Sequence, residues 1–555
     1  MNNQSAKRRR EDDDDDDGSA IAIDRLSQLP QPILQQILSL LSQKDAVRTC
    51  VLSKSWRYLW HGRFNVEFLD THHRFIRNKE FWPFVDKTLQ RYVDQNLSLQ
   101  KFLVDIQYEV DLDIQYEVDV EILQKWIPIV ITNMGVRSFN LIFHRSSNIV
   151  FPLPLVVFQS QSLVELDLQR CDLRILESTD NVVFHNLQTL RLHYVDITDE
   201  ILEKIISSCP LIENLNLLRC IGLTNIKLRK HHNIKDFGCS VDKRTIIEIE
   251  DPHTLESFHF ENYCYYWLLP HKNMHFPHLK SLKLQRVQLP AETFVNFSSF
   301  FPCLNELTLT KCDGLKEFRL SSSSIKRLTI KTILKNRIKA FIDTPNILYF
   351  ECSGHGDCVL PSIKFTTTSN EWASHIFVYY MLKRSDKDAT SWLLKLNNLL
   401  KALSQSHITL TLHLSQTMYQ KVHINDSYGG FFKPVVVEHL KLSGCFSSFS
   451  HPAIVNCFEP AIVNCFLRIC RPRYIHMDMY GDVRPKCNFA EYMSKLIPDE
   501  KGCFWLQDLE EVSTEVWKMK AKEWRCIKGT ILHALCSEKQ IRLRLTWKEQ
   551  LSKFT

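Results

Sequence analysis

The chain has 555 residues, of which 44% are hydrophobic and 24% are charged, and this composition is ordinary for globular proteins. That length predicts several domains or one extended array of repeats. The 14 glycines are too few for Gly-rich nucleotide-binding loops to be a main theme, and a net charge of +6 is too small to indicate nucleic-acid binding.

The first 20 residues predict a disordered, solvated tail, because Lys7–Arg10 form a basic block and Glu11–Asp17 an acidic one. The sequence KRRR is typical of nuclear-import signals, and the alternative is a solvated tail whose two blocks partly neutralise each other. The N-terminus lacks the apolar core of a secretory signal, and no run reaches the roughly 18 apolar residues of a membrane span. We therefore expect a nuclear or cytosolic protein with its 18 cysteines reduced.

The first folded segment predicted is a set of three short helices within residues 21–68. In the first helix Ile33, Ile37 and Leu41 recur every four residues and form one apolar stripe. Leu34 and Leu38 lie beside that stripe. The two prolines just before it suit the first turn of a helix.

Capping residues separate these helices. Ser42 is a candidate N-cap of the second helix, with Asp45 in its negatively charged first turn, and Ser53 is a candidate cap of the third.

Three helices of this size bury little apolar surface among themselves. Their surplus of large side chains, including Trp56 and Leu59, predicts either packing against the next domain or a surface for a partner. The pattern alone leaves both interpretations open.

The stretch LSQLPQPILQQILSLLSQKDAVRTCVLSKSWRYLW resembles an F-box domain. The resemblance rests on three groups of residues, Leu29-Pro30, Lys44-Asp45-Ala46 and Cys50–Trp60. It implies that the helices dock on the Skp adaptor of a Skp–cullin–F-box ubiquitin ligase, while Trp60 packs against the next domain. The residues implied for the adaptor surface are Leu29, Pro30, Ile33, Ile37, Leu38, Leu41, Val47, Val51, Leu52, Trp56 and Leu59.

A repeat follows a helical linker predicted over residues 69–98. The unit LxxLxL starts at residues 163, 187, 212, 234, 255, 279, 304, 325 and 347, with spacings of 21–25 residues. This resembles leucine-rich repeats, whose units have 20–29 residues. Each unit contributes an inward-facing strand, and neighbouring units stack into a sheet. The fold class expected is therefore α/β, with a small all-helical F-box followed by a leucine-rich-repeat solenoid that carries a parallel sheet on its concave face.

Several residues have one common place in these repeats. The leucines predicted to be buried in the sheet are Leu166, Leu190, Leu215, Leu282 and Leu307. The cysteines that follow a strand are predicted to be small buried hydrophobes and not ligands, namely Cys171, Cys220, Cys312 and Cys445.

The array is predicted to cover residues 99–480, with a helical insertion near 385–405. In that insertion Leu393, Leu396 and Leu400 lie on one side of a helix. The stretch VVVEHLKLSGC then restores the repeat pattern. Residues 481–555 resemble the FBD-like C-terminal region of plant F-box proteins with leucine-rich repeats.

No constellation of residues predicts catalysis. Cys352, His355 and Cys358 lack a second ligand pair at zinc-site spacing. His271 and His275 form HxxxH without the glutamate of a metalloprotease. The sequence has neither a Walker loop nor GxSxG. We therefore expect no enzyme activity, no metal and no other cofactor.

What remains is the outward side of the predicted strands. Its side chains are mixed in charge with few aromatics, whereas a nucleic-acid groove would be predominantly basic, so a polypeptide partner fits better. The candidate substrate-binding residues are Arg191, His193, Asn216, His259, Lys283, Arg327 and Lys331.

The resemblance implies a substrate-recognition subunit. Its F-box would bind the Skp adaptor and, through it, a cullin, while the array would bind an unidentified protein target for ubiquitination. Neither nucleic acid nor membrane is expected as a partner. Two alternatives stay open, a small-molecule receptor and an F-box protein that acts as a non-ligase scaffold.

Overall fold

The computed structural model describes most of the chain. The described residues are 26, 28–53, 56, 59, 62–70, 81–106, 120–144, 150–178, 181–229, 233–241, 245–262, 275–289, 294–314, 317–333, 338–355, 360–380, 390–414, 433–445, 466–480, 504–518, 522–527 and 540–548. The predicted charged tail, Trp60, His271 and Cys358 lie outside them. Two compact units divide the chain, one ending at Ser147 and the other beginning at Asn148.

Short helices open the first unit. They are α1 (Gln31–Leu40), α2 (Gln43–Arg48) and a 3-10 turn (Thr49–Val51). Pro30 stands at the start of α1, as predicted, where its missing N–H leaves no hydrogen bond unmade. The Ser42 hydroxyl accepts a hydrogen bond from the backbone N–H of Asp45 at 3.1 Å, and the Ser53 hydroxyl accepts one from Trp56 at 3.4 Å. The predicted Ser42 cap is confirmed. Ser53 makes the hydrogen bond expected of the other cap, and most residues of the predicted third helix lie outside the described part.

Three parallel strands complete the first unit. Its strands and connecting helices are β1 (Asn65–Asp70), α3 (Phe81–Asp94), β2 (Lys101–Ile106), α4 (Val120–Thr132) and β3 (Ser138–Phe143). β2 pairs in parallel with both β1 and β3. Every second residue of β2 is buried, which is the alternation of a strand with one covered face. The first strand among the described residues begins at Asn65, ahead of the linker predicted over residues 69–98.

The second unit contains the remaining strands. In chain order they are β4 (Phe151–Pro152), β5 (Glu165–Gln169), β6 (Cys171–Asp172), β7 (Thr189–His193), β8 (Asn214–Leu218), β9 (Asn225–Leu228), β10 (Asp236–Val241), β11 (Ile246–Ile249), β12 (Ser257–Asn262), β13 (Ser281–Gln285), β14 (Glu306–Thr310), β15 (Glu317–Ser321), β16 (Arg327–Ile333), β17 (Lys339–Asp343), β18 (Tyr349–His355), β19 (Ser362–Thr366), β20 (Ala373–Tyr380), β21 (His407–Leu414), β22 (Val435–Cys445), β23 (Cys470–Tyr480), β24 (Leu509–Lys518), β25 (Glu523–Ile527) and β26 (Ile541–Trp547). The helices among them are α5 (Asp199–Ser207), α6 (Phe297–Phe300) and α7 (Thr390–Ala402).

One parallel ladder joins most of these strands. It runs β5-β7-β8-β10-β12-β13-β14-β16-β18-β20-β21-β22-β23. Shorter strands pair separately as β4 with β6, β9 with β11, and β15 with β17 and β19. Strands that recur every repeat and pair only with their neighbours are the solenoid arrangement that the sequence predicted.

The repeat positions form the core of this unit. The first apolar residue of each of the nine predicted copies has at most 2% of its surface exposed. The second apolar positions are in register across neighbouring strands, so that Leu166, Leu190 and Leu215 form one row and Leu282 and Leu307 continue it. All five are buried, as predicted.

Two of the cysteines that follow the strands contact the neighbouring repeat through their thiols. The Cys220 thiol donates to the carbonyl oxygen of Leu192 at 3.3 Å, and the Cys312 thiol donates to that of Leu284 at 3.4 Å. Burial raises the pKa of Cys312 to about 11, which keeps this thiol protonated. Cys171 and Cys312 are buried, as predicted, whereas Cys220 is only half-buried. The Cys445 side chain is outside the described part.

The helical insertion and the end of the array also follow the sequence. Leu393, Leu396, Leu400 and Leu403 are buried on one side of α7 and the turn after it. After β23 the pairing changes, because β26 runs antiparallel to both β23 and β24, and β24 runs antiparallel to β25. An antiparallel group therefore ends the parallel ladder.

Candidate functional site

The helical segment has a small core of its own. Leu34, Leu38, Ala46 and Trp56 are buried against one another. Four predicted adaptor residues are partly buried around this core, namely Leu29, Ile37, Leu41 and Leu59. Some of the large apolar side chains of these helices therefore pack against one another and do not remain on the surface.

Two residues predicted for the adaptor surface belong to that core. Leu38 and Trp56 have 0% and 1% of their surface exposed, so neither can contact a partner, and their assignment to the surface was wrong. The reason is that successive residues of a helix point in different directions around its axis. Leu34 and Leu38, one residue further round than Ile33 and Ile37, take the inner side of α1.

Other apolar side chains of the segment are exposed. We call them the helical apolar group: Leu26, Ile33, Leu40, Val47, Val51 and Leu52. Leu40 and Val51 are the most exposed, at 83% and 87%. Leu26 and Leu40 were not in the predicted set, and Pro30, which was, is also exposed. Large apolar side chains left in water on a small helical segment are typical of a protein-binding surface.

Polar contacts fix the helices within the first unit. The amide of Gln35 donates to the carbonyl oxygen of Leu59 at 3.1 Å. The guanidinium of Arg63 donates to the carbonyl oxygen of Leu41 at 2.9 Å, and the hydroxyl of Tyr92 donates to that of Arg63 at 2.8 Å. Because buried polar groups are costly when unpaired, these bonds hold the helical apolar group in one arrangement before a partner binds.

The second candidate surface is the outward side of the parallel ladder. Register places Arg191, Asn216, His259 and Lys283 in a single row, with Gly238 between the second and third. The other predicted substrate-binding residues lie on neighbouring outward positions, namely His193, Arg327 and Lys331. All seven are at least partly exposed, so each is placed where a target could reach it.

Much of the charge on this surface is neutralised in place. Arg327 pairs with Glu306 at 3.2 Å and lies 4.7 Å above the ring of Tyr349, and Lys331 pairs with Glu351 at 3.0 Å. Burial lowers the pKa of His259, so this imidazole is neutral at pH 7. The central repeats therefore offer little net field to a partner.

A group of aromatic side chains that was not predicted lies further along the same surface. We call it the aromatic patch: Phe377, Tyr379, His413, His439, Tyr474, His476, Trp517 and Trp524. Register places Phe377, Lys441, His476 and Arg542 in one row across β20 to β26, together with Glu515 of β24. The rings therefore share one side of the sheet.

These rings contact one another. Tyr379 lies between Phe377 and His413, with ring centroids 4.7 and 5.0 Å away. His439 stacks on Tyr474 at 5.3 Å, and its Nδ1 is 3.0 Å from Nε2 of His476. Burial lowers the pKa of both histidines, that of His476 to about 3, and so both imidazoles are neutral at pH 7.

Arg542 joins the two halves of the patch. Its guanidinium lies 4.2 Å from the ring centroids of both Tyr474 and Trp524. It also pairs with the buried carboxylate of Glu515 at 2.7 Å, and Trp517 packs on Trp524 at 5.5 Å. The available signal was the alternation of rings in HIFVYY and RYIHM, which places every second side chain on the outward side.

The metal-capable stretches do not assemble into a site in the described part. Cys352 is buried in the repeat core, and burial raises the pKa of its thiol to about 12. Across the residues that the structure describes, no three His, Cys, Asp or Glu side chains are grouped to hold a metal ion. Within the same residues no helix combines the length and the apolar character needed to cross a membrane.

Two protein-family models match the chain. The F-box domain matches residues 26–65, and the LRR repeats of the FBD-associated F-box protein At5g56370 match residues 123–266. The first match covers the helical apolar group, and the second covers the first five of the thirteen strands of the parallel ladder.

Curated relatives from Arabidopsis thaliana agree with these matches. The F-box/LRR-repeat protein At3g59200 is 32% identical over 237 residues, which is 41% of this chain and 40% of the relative. The F-box/FBD/LRR-repeat protein At1g78750 is 32% identical over 202 residues, or 36% of this chain and 42% of the relative. The chain thus spans less than half the length of these relatives. The probable FBD-associated F-box protein At1g32375 is 25% identical over 417 residues, or 69% of this chain and 93% of the relative.

Proposed function

We propose that this chain, which carries an F-box domain followed by leucine-rich repeats, is a substrate-recognition subunit of a Skp–cullin–F-box ubiquitin ligase. The observation that carries the proposal is the helical apolar group, which lies within the F-box match and is exposed beside a buried core. An F-box domain implies binding to a Skp-type adaptor. The repeat surface is then the part left to bind a protein target.

The chain itself makes and breaks no bond in this proposal. It holds the target near a ubiquitin-conjugating enzyme that the cullin recruits, and the rate gain comes from proximity. No cofactor is needed for this role, and neither nucleic acid nor a membrane takes part. The nucleus or the cytosol is the proposed place of action, in keeping with the basic block Lys7–Arg10.

Reconstitution tests the proposal. The full chain is mixed with a purified Skp-type adaptor and a cullin, and complex formation is measured by size-exclusion chromatography. A stable ternary complex is expected. An adaptor that does not bind the folded chain would end the proposal, and adaptor binding without cullin recruitment would favour the scaffold role.

A chimera tests target selection. Residues 99–480 are exchanged for the array of another F-box protein with leucine-rich repeats, and the ubiquitinated proteins are compared. The exchange should redirect the ligase, since the adaptor surface is shared. Charge reversal at Arg191, Lys283 or Arg327 should weaken target capture without changing adaptor binding. If the chimera still captured the original targets, recognition would not lie in the array.

A further inference from the structure

We propose that the aromatic patch is the anchoring site for targets, and that it binds an acidic peptide segment that also carries an aromatic side chain. This inference rests on the proposed function and names the class of segment that the array takes.

Aromatic residues are concentrated at this end of the outward surface. Each ladder strand has three outward positions, which are aligned with Glu165, Asp167 and Gln169 of β5. From β5 to β16 none of these positions is occupied by Phe, Tyr or Trp. The strands from β20 onward place five Phe, Tyr or Trp rings of the patch on the same side, together with its three His rings. Large rings bury much area with few rotatable bonds, which makes them strong interface anchors.

The rings are held in place before binding. Tyr379 is fixed between two neighbours, and Arg542 is held by Glu515 while it stacks on Tyr474 and Trp524. A site that is already ordered loses less conformational entropy when a peptide docks on it. A guest aromatic ring could stack on the half-buried rings without rearranging the sheet.

The charges of the patch select an acidic partner. Arg542 and Arg544 share one carboxylate, Glu515, at 2.7 and 4.0 Å. Lys441 lies in the row beside His476, and no ion pair joins it to any acidic side chain that the structure describes. Glu438, which acts on His439, is itself paired with Arg473 at 3.3 Å. The adjacent imidazoles are neutral, so the remaining described groups have three positive charges against one negative charge. A carboxylate of the partner is therefore attracted to Lys441.

The same charges oppose a metal ion. The pair His439 and His476 presents two nitrogens, but Lys441 and Arg542 stand next to it and repel a dication. Three cations are also too few for the extended phosphate contacts of a nucleic acid.

Fluorescence anisotropy of the full chain with labelled 12-residue peptides tests the inference. Three peptides are compared, one of glutamate with tryptophan, one of glutamate with alanine and one of lysine with tryptophan. The glutamate–tryptophan peptide should bind about tenfold or more tightly than either of the others, since each loses one of the two contacts, and about 1.4 kcal/mol corresponds to tenfold. Equal affinity for all three would overturn the proposal.

Variants locate the binding. Lys441→Glu should weaken binding of the glutamate–tryptophan peptide about tenfold or more by the same conversion and favour the lysine–tryptophan peptide instead. Lys395→Glu, the matched change on the exposed side of α7, should leave affinity unchanged. Thermal unfolding checks that both variants are folded. Equal losses in the two variants would place the site elsewhere.

The adaptor is absent from this assay, so its outcome is separate from that of reconstitution. If the chain binds the three peptides equally well while the ternary complex forms, the proposed anchoring site is wrong and the ligase role stands. If the peptides bind as expected and the adaptor does not bind, the ligase role is lost and the peptide site remains.

Discussion

The exposed apolar side chains of the F-box segment give a sharp test of adaptor binding. Leu40 and Val51 are 83% and 87% exposed, so neither contributes much to the core. Replacing both with Ser should change the free energy of unfolding by no more than about 0.5 kcal/mol. A Leu or Val side chain that becomes fully buried contributes about 1.5–3 kcal/mol.

The expected loss of affinity follows from that contribution. At 1.4 kcal/mol for each factor of ten, one substitution weakens adaptor binding by about 10- to 150-fold where its side chain is buried in the complex. The double variant should weaken it further. Isothermal titration of the full chain with a purified Skp-type adaptor measures the affinity, and a thermal melt measures folding.

Two further variants make the result specific. Gln36→Ser shortens an exposed polar side chain on the same helix and should change neither property. Leu38→Ala removes a fully buried side chain, which should cost roughly 2–5 kcal/mol of stability. If the folded Leu40/Val51 double variant bound the adaptor as tightly as the original chain, the helical apolar group would not be the adaptor surface.

Three other predictions concern the fold. Leu307 is 1% exposed in the sheet, and Leu307→Ala should lower the free energy of unfolding by roughly 2–5 kcal/mol in chemical denaturation. A decrease below about 1 kcal/mol would mean that the row of leucines is loosely packed. Gly222 has φ +101°, and a Cβ there would lie 2.6 Å from the carbonyl oxygen of Ile197, so Gly222→Ala should destabilise more than Gly135→Ala, whose φ is +65° with open space around it. Equal melting shifts for the two variants would contradict this. Burial lowers the pKa of His476 to about 3, so between about pH 6.5 and 3 the unfolded chain binds more protons than the folded one, and the free energy of unfolding should fall as the pH drops. His476→Gln should reduce this dependence of the unfolding free energy on pH, measured by denaturation at several pH values. An unchanged dependence would show that the imidazole is not desolvated.

The repeat array was the easiest part to predict from the sequence. Three apolar positions recur in each unit, and a buried row needs the same residue type at the same place in every strand. Leu163, Leu187 and Leu304 are therefore found where the period places them, with 0% exposed. Local pattern sufficed because each strand pairs only with the strands of adjacent repeats.

Surface residues were harder to predict than buried ones. In α1 the apolar side chains occupy adjacent rows, and periodicity does not say which row faces inward. Packing against Ala46 and Trp56 decides it, and those residues lie on other helices. Leu38 was consequently assigned to the wrong side, and Leu40 was overlooked.

The aromatic patch depends on pairings that no local pattern reveals. Phe377 and Trp524 are far apart in the chain, and Arg542 reaches His476 only because β26 returns antiparallel to β23. Repeat spacing predicts parallel neighbours, so this reversal could not be read from the period. The sequence shows that rings alternate within single strands such as β20, but it does not show which strands bring those rings together.

The antiparallel group that ends the ladder has a consequence for how the protein is made. In the part of the chain that the structure describes, the partner on the outer side of β23 is β26, and until β26 has been synthesised that edge presents free backbone groups. A nascent chain is thus open to joining another nascent chain edge to edge, or to requiring a chaperone, during the last part of translation. Among the described strands, the completed sheet ends on β25. This strand has five residues, including Glu523 and Arg525, and such a short charged edge gives another chain little to extend.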